Sequence, residues 1–368
     1  MGTAGGALAV SMAHLPQPIA NVRHALRTFL ATRQSLQALD DADLVLVACS
    51  GGADSVALAS QAAFLAPGMG FRAGLVTVDH QMQPGSADQA QRVADLGERL
   101  GLDPVEVRTA QPQESGVVGV GPEGAARQIR YELLTQAASQ VGARAVLLAH
   151  TMEDQAETVL LGLSQGAGTR AVAGMPQVRG IFWRPLLGVR RQDTTRTCQV
   201  LDLPVWEDPT NHPQGPWRTA SGGPLPRAAL RHWVLPKMAN ALGQDPVVGL
   251  ARTASLARAD ADYVDAQANT WFHLIHEPDS QAPQGAVVGV GVEDLEALPD
   301  ALRWRVLRQV MVRSGVDPTR VVMEHVMQLD RLVTDWRGQR SVSVPGGRRG
   351  LRTCGRLYIV NPTTRENT

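Results

Sequence analysis

The spacing of apolar and polar positions changes several times along the chain, and each change marks a new element. From Ile19 to Leu39 apolar residues recur at helical spacing (Val22, Leu26, Phe29, Leu30) with basic residues on the other side, which predicts an amphipathic helix. Residues 43–50, DLVLVACS, are a nearly continuous apolar run rich in valine, the mark of a buried parallel strand. The same reading predicts helices over Ser55–Phe64, Ser86–Leu100, Glu123–Val141 and Glu153–Ser164. Between them it predicts strands over Phe71–Asp79, Val105–Arg108 and Ala145–Ala149. Ser86 suits an N-cap and Asp88 a first helical turn. Strands alternating with helices predict the α/β class, with a doubly wound, mostly parallel sheet whose ligands bind at the strands' carboxyl ends.

Past about Gly168 the pattern weakens. Residues 204–227, rich in proline and glycine, predict a long loop, and residues 277–291 a linker. Helical periodicity returns over Arg227–Ala241 and Val247–Ile275. Residues 293–368 read as two helices and a glycine-rich stretch with strands at Ser341–Val344 and Arg356–Val360. The expected organisation is a flexible leader over 1–19, an α/β domain over 20–226, a helical middle domain and linker over 227–290, and a small basic α+β domain over 291–368.

Composition supports real cores: of 368 residues, 44% are hydrophobic and 19% charged, too few charges for a disordered chain. Thirty-five basic and 35 acidic side chains cancel, which argues against a uniformly basic surface but not a local one. The cancellation hides a polarity. Residues 301–368 hold 13 arginines against 5 acids, leaving 22 basic and 30 acidic side chains for the other 300 residues, a net of +8 against −8. Lys237 is the one lysine, so no phosphate-loop lysine lies near the N-terminus. Cys49, Cys198 and Cys354 form no CxxC, against a zinc ribbon, an iron–sulfur cluster or a disulfide framework, and Cys49 reads as a core residue. The opening MGTAGGALAVSMAH lacks the basic start and apolar core of a secretory signal, and no apolar run is long enough to span a bilayer, so a cytoplasmic location is expected.

Ser50-Gly51-Gly52-Ala53-Asp54-Ser55 joins the first apolar strand to the next helix. Glycines let the backbone turn tightly and turn N–H groups toward an anion, and a helix N-terminus adds partial positive charge. Ser50 and Ser55 offer hydroxyl donors to phosphate oxygens, while Asp54 would repel a phosphate and makes sense as a Mg²⁺ ligand beside one. The Gly-Lys-Ser/Thr ending of a Walker loop is missing. An ordinary strand-to-helix turn also uses Gly, Ser and Asp; the complete hexapeptide in this setting is what sets it apart.

His150, Asp154 and Glu157 follow the fourth strand at spacings of four and three, on one face of a helix start. An imidazole with two carboxylates suits proton transfer, metal binding or capture of an ammonium group. Acids also favour helix N-termini for electrostatic reasons alone, so the neighbourhood decides. Arg127 and Arg130 stand one turn apart on the preceding helix, suited to holding a phosphate or carboxylate, and Asp79 and His80 end the second strand.

The hexapeptide is similar to the SGGxDS loop of the PP-loop ATP pyrophosphatases. A wider set resembles the tRNA(Ile)-lysidine synthase family: ACSGGADS, VDHQMQPGSADQA, EGAARQIRYELL, LLAHTMEDQAETVLLGLSQGAGTRAVAGM, FWRPLLGVRR and WEDPTN occur in the family's order from residue 48 to 211. RAALRHWVLPKM at 227–238 and VPGGRRGLRTCGRLYIV near the end of the chain fit it as well. The resemblance implies a PP-loop, HUP-type fold, a helical linker domain and a small C-terminal domain. It implies a two-step ligation, in which ATP adenylylates the C2 oxygen of the wobble cytidine of an isoleucine tRNA with a CAU anticodon. The ε-amine of free L-lysine then displaces AMP. On that basis Ser50, Gly51, Gly52, Ala53, Asp54 and Ser55 bind ATP, with Asp79 and His80 at its adenosine end and Asp54 also on Mg²⁺. Asp154 and Glu157 bind the lysine ammonium, and one of them takes its proton. His150, Arg127 and Arg130 are catalytic residues that offset charge on the adenylylated base or its phosphate. The basic end is implied to grip tRNA, with Arg337, Arg340, Arg348, Arg349 and Arg352 as its densest cluster. No membrane and no protein partner is implied.

The chain departs from the family pattern at Glu153, at Asp208-Pro-Thr-Asn211, and in a Pro/Gly-rich insertion that contains Arg218 and ends at Arg227 and Arg231. Rival readings fit less well. A tRNA thiolase with the same loop depends on cysteines for sulfur transfer or a cluster, and an NAD synthetase would not need the extra C-terminal domain. A nucleotide-binding regulatory module would need neither Asp54 nor the Asp154/Glu157 pair.

Overall fold

Unbroken apolarity makes Leu44–Ala48 (β1) a central strand, and all five of its residues are buried. In the computed structural model, residues 15–81, 85–110, 122–164, 168–219, 221–276, 282–339 and 341–361 are described. They form two compact units, one of residues up to 161 with 174–254, the other of 162–173 with residues from 255 onward.

In the first unit β1 is flanked by β2 (Arg72–Asp79) and, across a chain crossover, β4 (Ala145–Leu147), both parallel to it. With β3 (Val105–Thr109), β5 (Val178–Arg179) and β6 (Phe182–Trp183) the sheet order is β3-β2-β1-β4-β6-β5. Only β5 runs antiparallel to its neighbour among these strands. Alternation along β1 assigns its two faces. Val45, Val47 and Cys49 pack with helices α1 (Gln17–Ser35) and α2 (Ala53–Met69), through Val22, Leu26, Leu58 and Ala62. Leu44, Leu46 and Ala48 pack against Leu134, Ala137 and Ala138 of α4 (Pro122–Gln140), which follows α3 (Ser86–Arg99). Gly74 of β2 is required by close approach, since a Cβ there would lie 2.6 Å from the Pro104 carbonyl oxygen and 2.8 Å from Leu46. The order reverses direction between β1 and β4, so the segments after those two strands diverge and open a crevice at their carboxyl ends. Helix α5 (Met152–Ser164) leaves from the β4 side of it.

The second unit takes in the end of α5 and α6 (Gly168–Val172). The first resumes with α7 (Arg191–Val200), α8 (Pro226–Ala229), a π-helical turn over Leu230–Val234 and α9 (Leu235–Leu242). The unit boundary then falls within α10 (Pro246–Ile275). In the second unit, β7 (Ala286–Gly291), β8 (Val342–Val344), β9 (Arg348–Thr353) and β10 (Arg356–Val360) form an antiparallel sheet ordered β7-β10-β9-β8. Its inner face, with Val290, Leu357 and Ile359, forms one core with α11 (Val292–Glu296), α12 (Asp300–Arg313) and α13 (Met323–Thr334). A buried ion pair, Arg303 Nε to Asp330 Oδ1 at 2.6 Å, ties α12 to α13.

Three expectations need correction. Ser86 is the first residue of α3 and not its cap, a place taken by Gly85 at φ +81°. Residues 286–291, expected as linker, form β7, because Val288 and Val290 find core partners there. The glycine-rich stretch before β10 carries the further strand β9, which its arginines disguised. Residues 1–14 of the expected leader and 277–281 of the expected linker lie outside the described residues.

Candidate active site

β1 stops at Ala48 and α2 starts at Ala53, so the intervening residues turn the chain at the sheet's carboxyl edge. Gly51 sits at φ +87°, a torsion that favours glycine, and a Cβ on it would also press on the Gln89 side chain. Its carbonyl accepts the Trp206 N–H at 2.9 Å, which seats the 206–211 segment beside the loop. Ser55 is buried; its hydroxyl accepts from Ser50 N at 3.2 Å and donates to Gly52 O at 2.9 Å. That hydroxyl braces the loop, and the hydroxyl of exposed Ser50 lies 3.4 Å from it.

A cavity of about 660 Å³ opens beside the loop. It is lined by six of the residues singled out in the sequence: Ser50, Asp79, His80, Arg127, Arg130 and His150. Asp79 is buried and accepts Gln81 N at 2.9 Å, so it also fixes the turn after β2. His80 is lowered from its ordinary value, first by burial and then by Arg130. Arg127 donates to the Tyr131 hydroxyl at 3.4 Å. Buried Arg184 donates to the same oxygen at 3.2 Å, a contact the sequence did not disclose although Arg184 stands in the FWRPLL segment.

His150 is pushed down to about 3, by burial first and by Arg184, Arg130 and Arg127 against the opposing pull of Asp154. It is therefore neutral at ordinary pH, and the positive charge expected of His150, Arg127 and Arg130 together falls to the two arginines. Its buried Nδ1 has no hydrogen-bond partner among the described residues. A buried polar atom of this kind, in a cavity wall, marks a place for a ligand atom. Linkage gives a sign to test. The unfolded chain takes up the proton at the ordinary value of 6.5 and the folded chain only near 3. Stability is thus expected to fall as pH drops below 6.5, by at most about 1.4 kcal/mol per pH unit from this group. Denaturant midpoints between pH 7 and 5 check it, with a flatter slope expected for His150→Gln.

Asp54, Asp154 and Glu157 do not line the cavity but belong to a cluster of acids and arginines from distant parts of the unit. Arg191, at the start of α7, donates from Nε to Asp54 at 3.2 Å and from Nη2 to Asp154 at 2.7 Å, with Nη1 3.6 Å from Glu157. Thr194 donates to the other oxygen of Asp54. Glu157 is fully buried and clasped by Arg231, through Nε at 2.8 Å and Nη2 at 3.2 Å, with Arg227 at 3.6 Å. Arg231 also reaches Asp154 at 3.3 Å from its π-helical turn, an irregularity that often serves to aim a functional side chain. Glu153 accepts from Arg190 Nε at 2.7 Å and from Arg191 N at 2.8 Å. Burial alone would raise the Asp154 carboxyl, but Arg191, His150, the Thr151 N–H and Arg231 outweigh it and bring it to about 2. For Asp54 burial prevails over Arg191 and Thr194, and its carboxyl is raised. Among the described residues no group of three or more His, Cys, Asp or Glu side chains has metal-binding geometry.

In the second unit Arg349 is exposed and bonds to Ser341 Oγ, and exposed Arg337 pairs with Asp335 at 2.9 Å. Arg348 donates to Asn361 at 3.3 Å. Arg352 is committed to the fold: it donates to the Leu332 and Val333 carbonyls at the end of α13, both at 3.0 Å, and stacks 4.9 Å from the Trp336 ring centre. Arg340 lies outside the described residues.

Comparison with known proteins places these features in a family. A family model described as a PP-loop domain matches residues 21–238, and one described as the TilS substrate binding domain matches residues 292–358. A tRNA(Ile)-lysidine synthase of Salinispora tropica is 45% identical over 355 residues, 95% of this chain and 99% of its own. One from Streptomyces coelicolor is 46% identical over 334 residues, 89% of this chain and 88% of its own. A solved U34-tRNA thiolase, NcsA of Methanococcus maripaludis, with its 4Fe–4S cluster, superposes with a TM-score of 0.51 at 14% identity, over 66% of this chain and 79% of that one, a likeness of fold alone. No helix among the described residues is long and apolar enough to cross a membrane.

Proposed function

This chain belongs to the tRNA(Ile)-lysidine synthase family, and from that premise we propose that the cavity and the acid–arginine cluster divide the two half-reactions between them. The protein is an ATP-dependent ligase acting on tRNA. In the first half-reaction the C2 oxygen of the wobble cytidine attacks the α-phosphorus of ATP and pyrophosphate leaves. In the second, the neutral ε-amine of free lysine attacks C2, AMP departs with the oxygen, and the nitrogen gives up a proton.

The observation that carries this reading is His150, a neutral imidazole with an unpartnered buried nitrogen in the cavity wall, adjoining an ionised Asp154. Backbone N–H groups of Ser50–Ala53 and the N-terminus of α2 receive the phosphates. Arg127 and Arg130 meet the negative charge that grows on the transferred phosphoryl group. Asp154 holds the lysine ammonium, which takes over the place that the Arg191 guanidinium has in the free protein. Glu157, shut in by guanidinium groups, supports that exchange by fixing Arg231, and the amine's proton passes to Asp154 once Arg191 has moved off it. The carboxylate of Asp54 is of the type that suits Mg²⁺, a hard cation satisfied by one or two carboxylates beside phosphate oxygens and water, once Arg191 and Thr194 release its two oxygens. When bound, the ion neutralises charge on the triphosphate.

The test is incorporation of labelled lysine into a CAU isoleucine tRNA transcript, with pyrophosphate release followed in parallel. Release that needs lysine and tRNA for turnover supports the proposal. Release with ammonia in place of lysine, or none, overturns it. The second unit is proposed to bind tRNA through exposed arginines, and a cytoplasmic location follows from the substrates. Arg349→Ala is expected to weaken tRNA binding and to reduce the slope of log affinity against log salt by about 1. Filter binding across a salt series checks it, with ATP affinity unchanged.

A further inference from the structure

Trp217 has no task in the reaction as derived, yet it lines the same cavity as Arg127, Arg130 and His150. It comes from the Pro/Gly-rich insertion, which is braced against itself. Arg218 donates to the Pro213 carbonyl at 2.7 Å and bridges to Pro224, and Thr219 N donates to Gly223 O at 2.9 Å. These ties hold the half-buried indole in the wall instead of leaving it on a loose loop.

The cavity's other large aromatic residues are tied elsewhere. Tyr131 is held through its hydroxyl by Arg184 and Arg127 and packs edge-on to Phe182. Trp206 is fixed through its backbone, whose N–H donates to Gly51 O of the phosphate loop at 2.9 Å. Around Trp217 the chain is open to solvent: Pro209, Asn211, His212, Gln214 and Pro216 are all exposed. The insertion thus forms the outer rim of the cavity, and the phosphate loop its floor. A triphosphate anchors at the floor, whereas a base carried by a large RNA arrives across the rim. Such a base has given up its stacking neighbours, and an aromatic face in the pocket replaces them.

We propose that Trp217 is the face on which the target cytosine stacks while its C2 oxygen is adenylylated and then displaced, an inference that rests on the lysidine-forming reading. The ring binds the base and takes no part in proton or phosphoryl transfer.

The test uses the full-length enzyme with the CAU isoleucine tRNA transcript. Stacking of one base on an aromatic ring corresponds to a factor of about 10 to 100 in binding. Trp217→Ala is expected to lower kcat/KM for tRNA by that factor with the KM for ATP and for lysine unchanged, and Trp217→Phe to recover most of it. Tryptophan fluorescence should be quenched by a CAU anticodon stem–loop, and less so in Trp217→Phe. A raised KM for ATP with tRNA kinetics intact would put adenine on the ring and overturn the proposal. So would unchanged kcat/KM for tRNA, or a Phe variant no better than Ala, the mark of a merely bracing role. A wild-type enzyme that incorporates no lysine at all overturns the lysidine reading and the proposal with it.

Discussion

Asp154→Asn is expected to abolish lysine transfer and to leave the ATP-dependent step standing. The substitution keeps the shape and an acceptor for Thr151 N, which lies 2.8 Å from the carboxylate. It removes the negative charge that an ammonium requires. With the group held near 2 in the native protein, that charge is present at every pH at which the enzyme works. The expected loss in kcat/KM for lysine is at least about 100-fold, the lower end of what a positioned proton-handling group contributes. Adenylylated tRNA should accumulate in the variant when ATP and tRNA are supplied, because the phosphate loop, Arg127 and Arg130 are untouched. Rapid quench with labelled ATP distinguishes the outcomes, and unchanged lysine kinetics would remove Asp154 from the lysine site. Glu157→Gln should act differently. Its carboxylate is closed off by arginines, so the variant is expected to lose stability and to misplace Arg231, with both half-reactions affected.

Arg191→Met gives the largest expected loss of stability. One guanidinium faces the phosphate-loop acid Asp54 and the acids Asp154 and Glu157 of the proposed lysine site. Its removal leaves carboxylates short of a cation in a largely dry cluster, although Arg231 and Arg227 still serve Asp154 and Glu157. Breaking buried pairs on one side costs about 3–5 kcal/mol, which for a unit of this size lowers Tm by roughly 6–20 °C. The sign of the pH response separates this cause from a simple packing defect. Without Arg191 the native values of Asp54 and Asp154 move up, so part of the lost stability is regained as pH falls and these carboxyls take up protons. The gap between wild type and variant should therefore narrow from pH 7 to pH 5, a trend calorimetry can follow. Arg191→Lys, which keeps a charge without the planar fork, should fall between the two. A uniform gap at all pH values would show that the guanidinium acts by packing alone.

Sequence legibility followed the length scale of each interaction. The phosphate loop was readable because its parts are neighbours: a buried strand, two glycines and a helix start within a few residues. The existence of the first four strands was readable for the same reason, since three are compact apolar runs and β3 is a weaker one. β5 and β6, two residues each, were not, because so short a stretch carries no period. β9 was hidden because its exposed positions are arginines and its one buried inward residue is Gly350, pressed against Leu329. Side-chain direction was also beyond the sequence. Ser55 and Asp54 have a ligand's residue types, but one hydroxyl turns into the loop and the carboxylate toward α7.

What the sequence by itself determined is the parallel α/β sheet, the anion-binding turn at the end of β1 and the set of titratable groups gathered at the carboxyl edge. Those follow from local backbone preferences and from side chains at short spacing. The tertiary structure alone decided the electrostatic state of that set. Arg191 meets Asp54 across 137 positions of chain, and Arg231 meets Glu157 across 74. Burial among arginines makes His150 neutral and Asp154 a strong acid. Charge at a site depends on distance and exclusion of water in three dimensions, and neither is written in the spacing of residues along a chain.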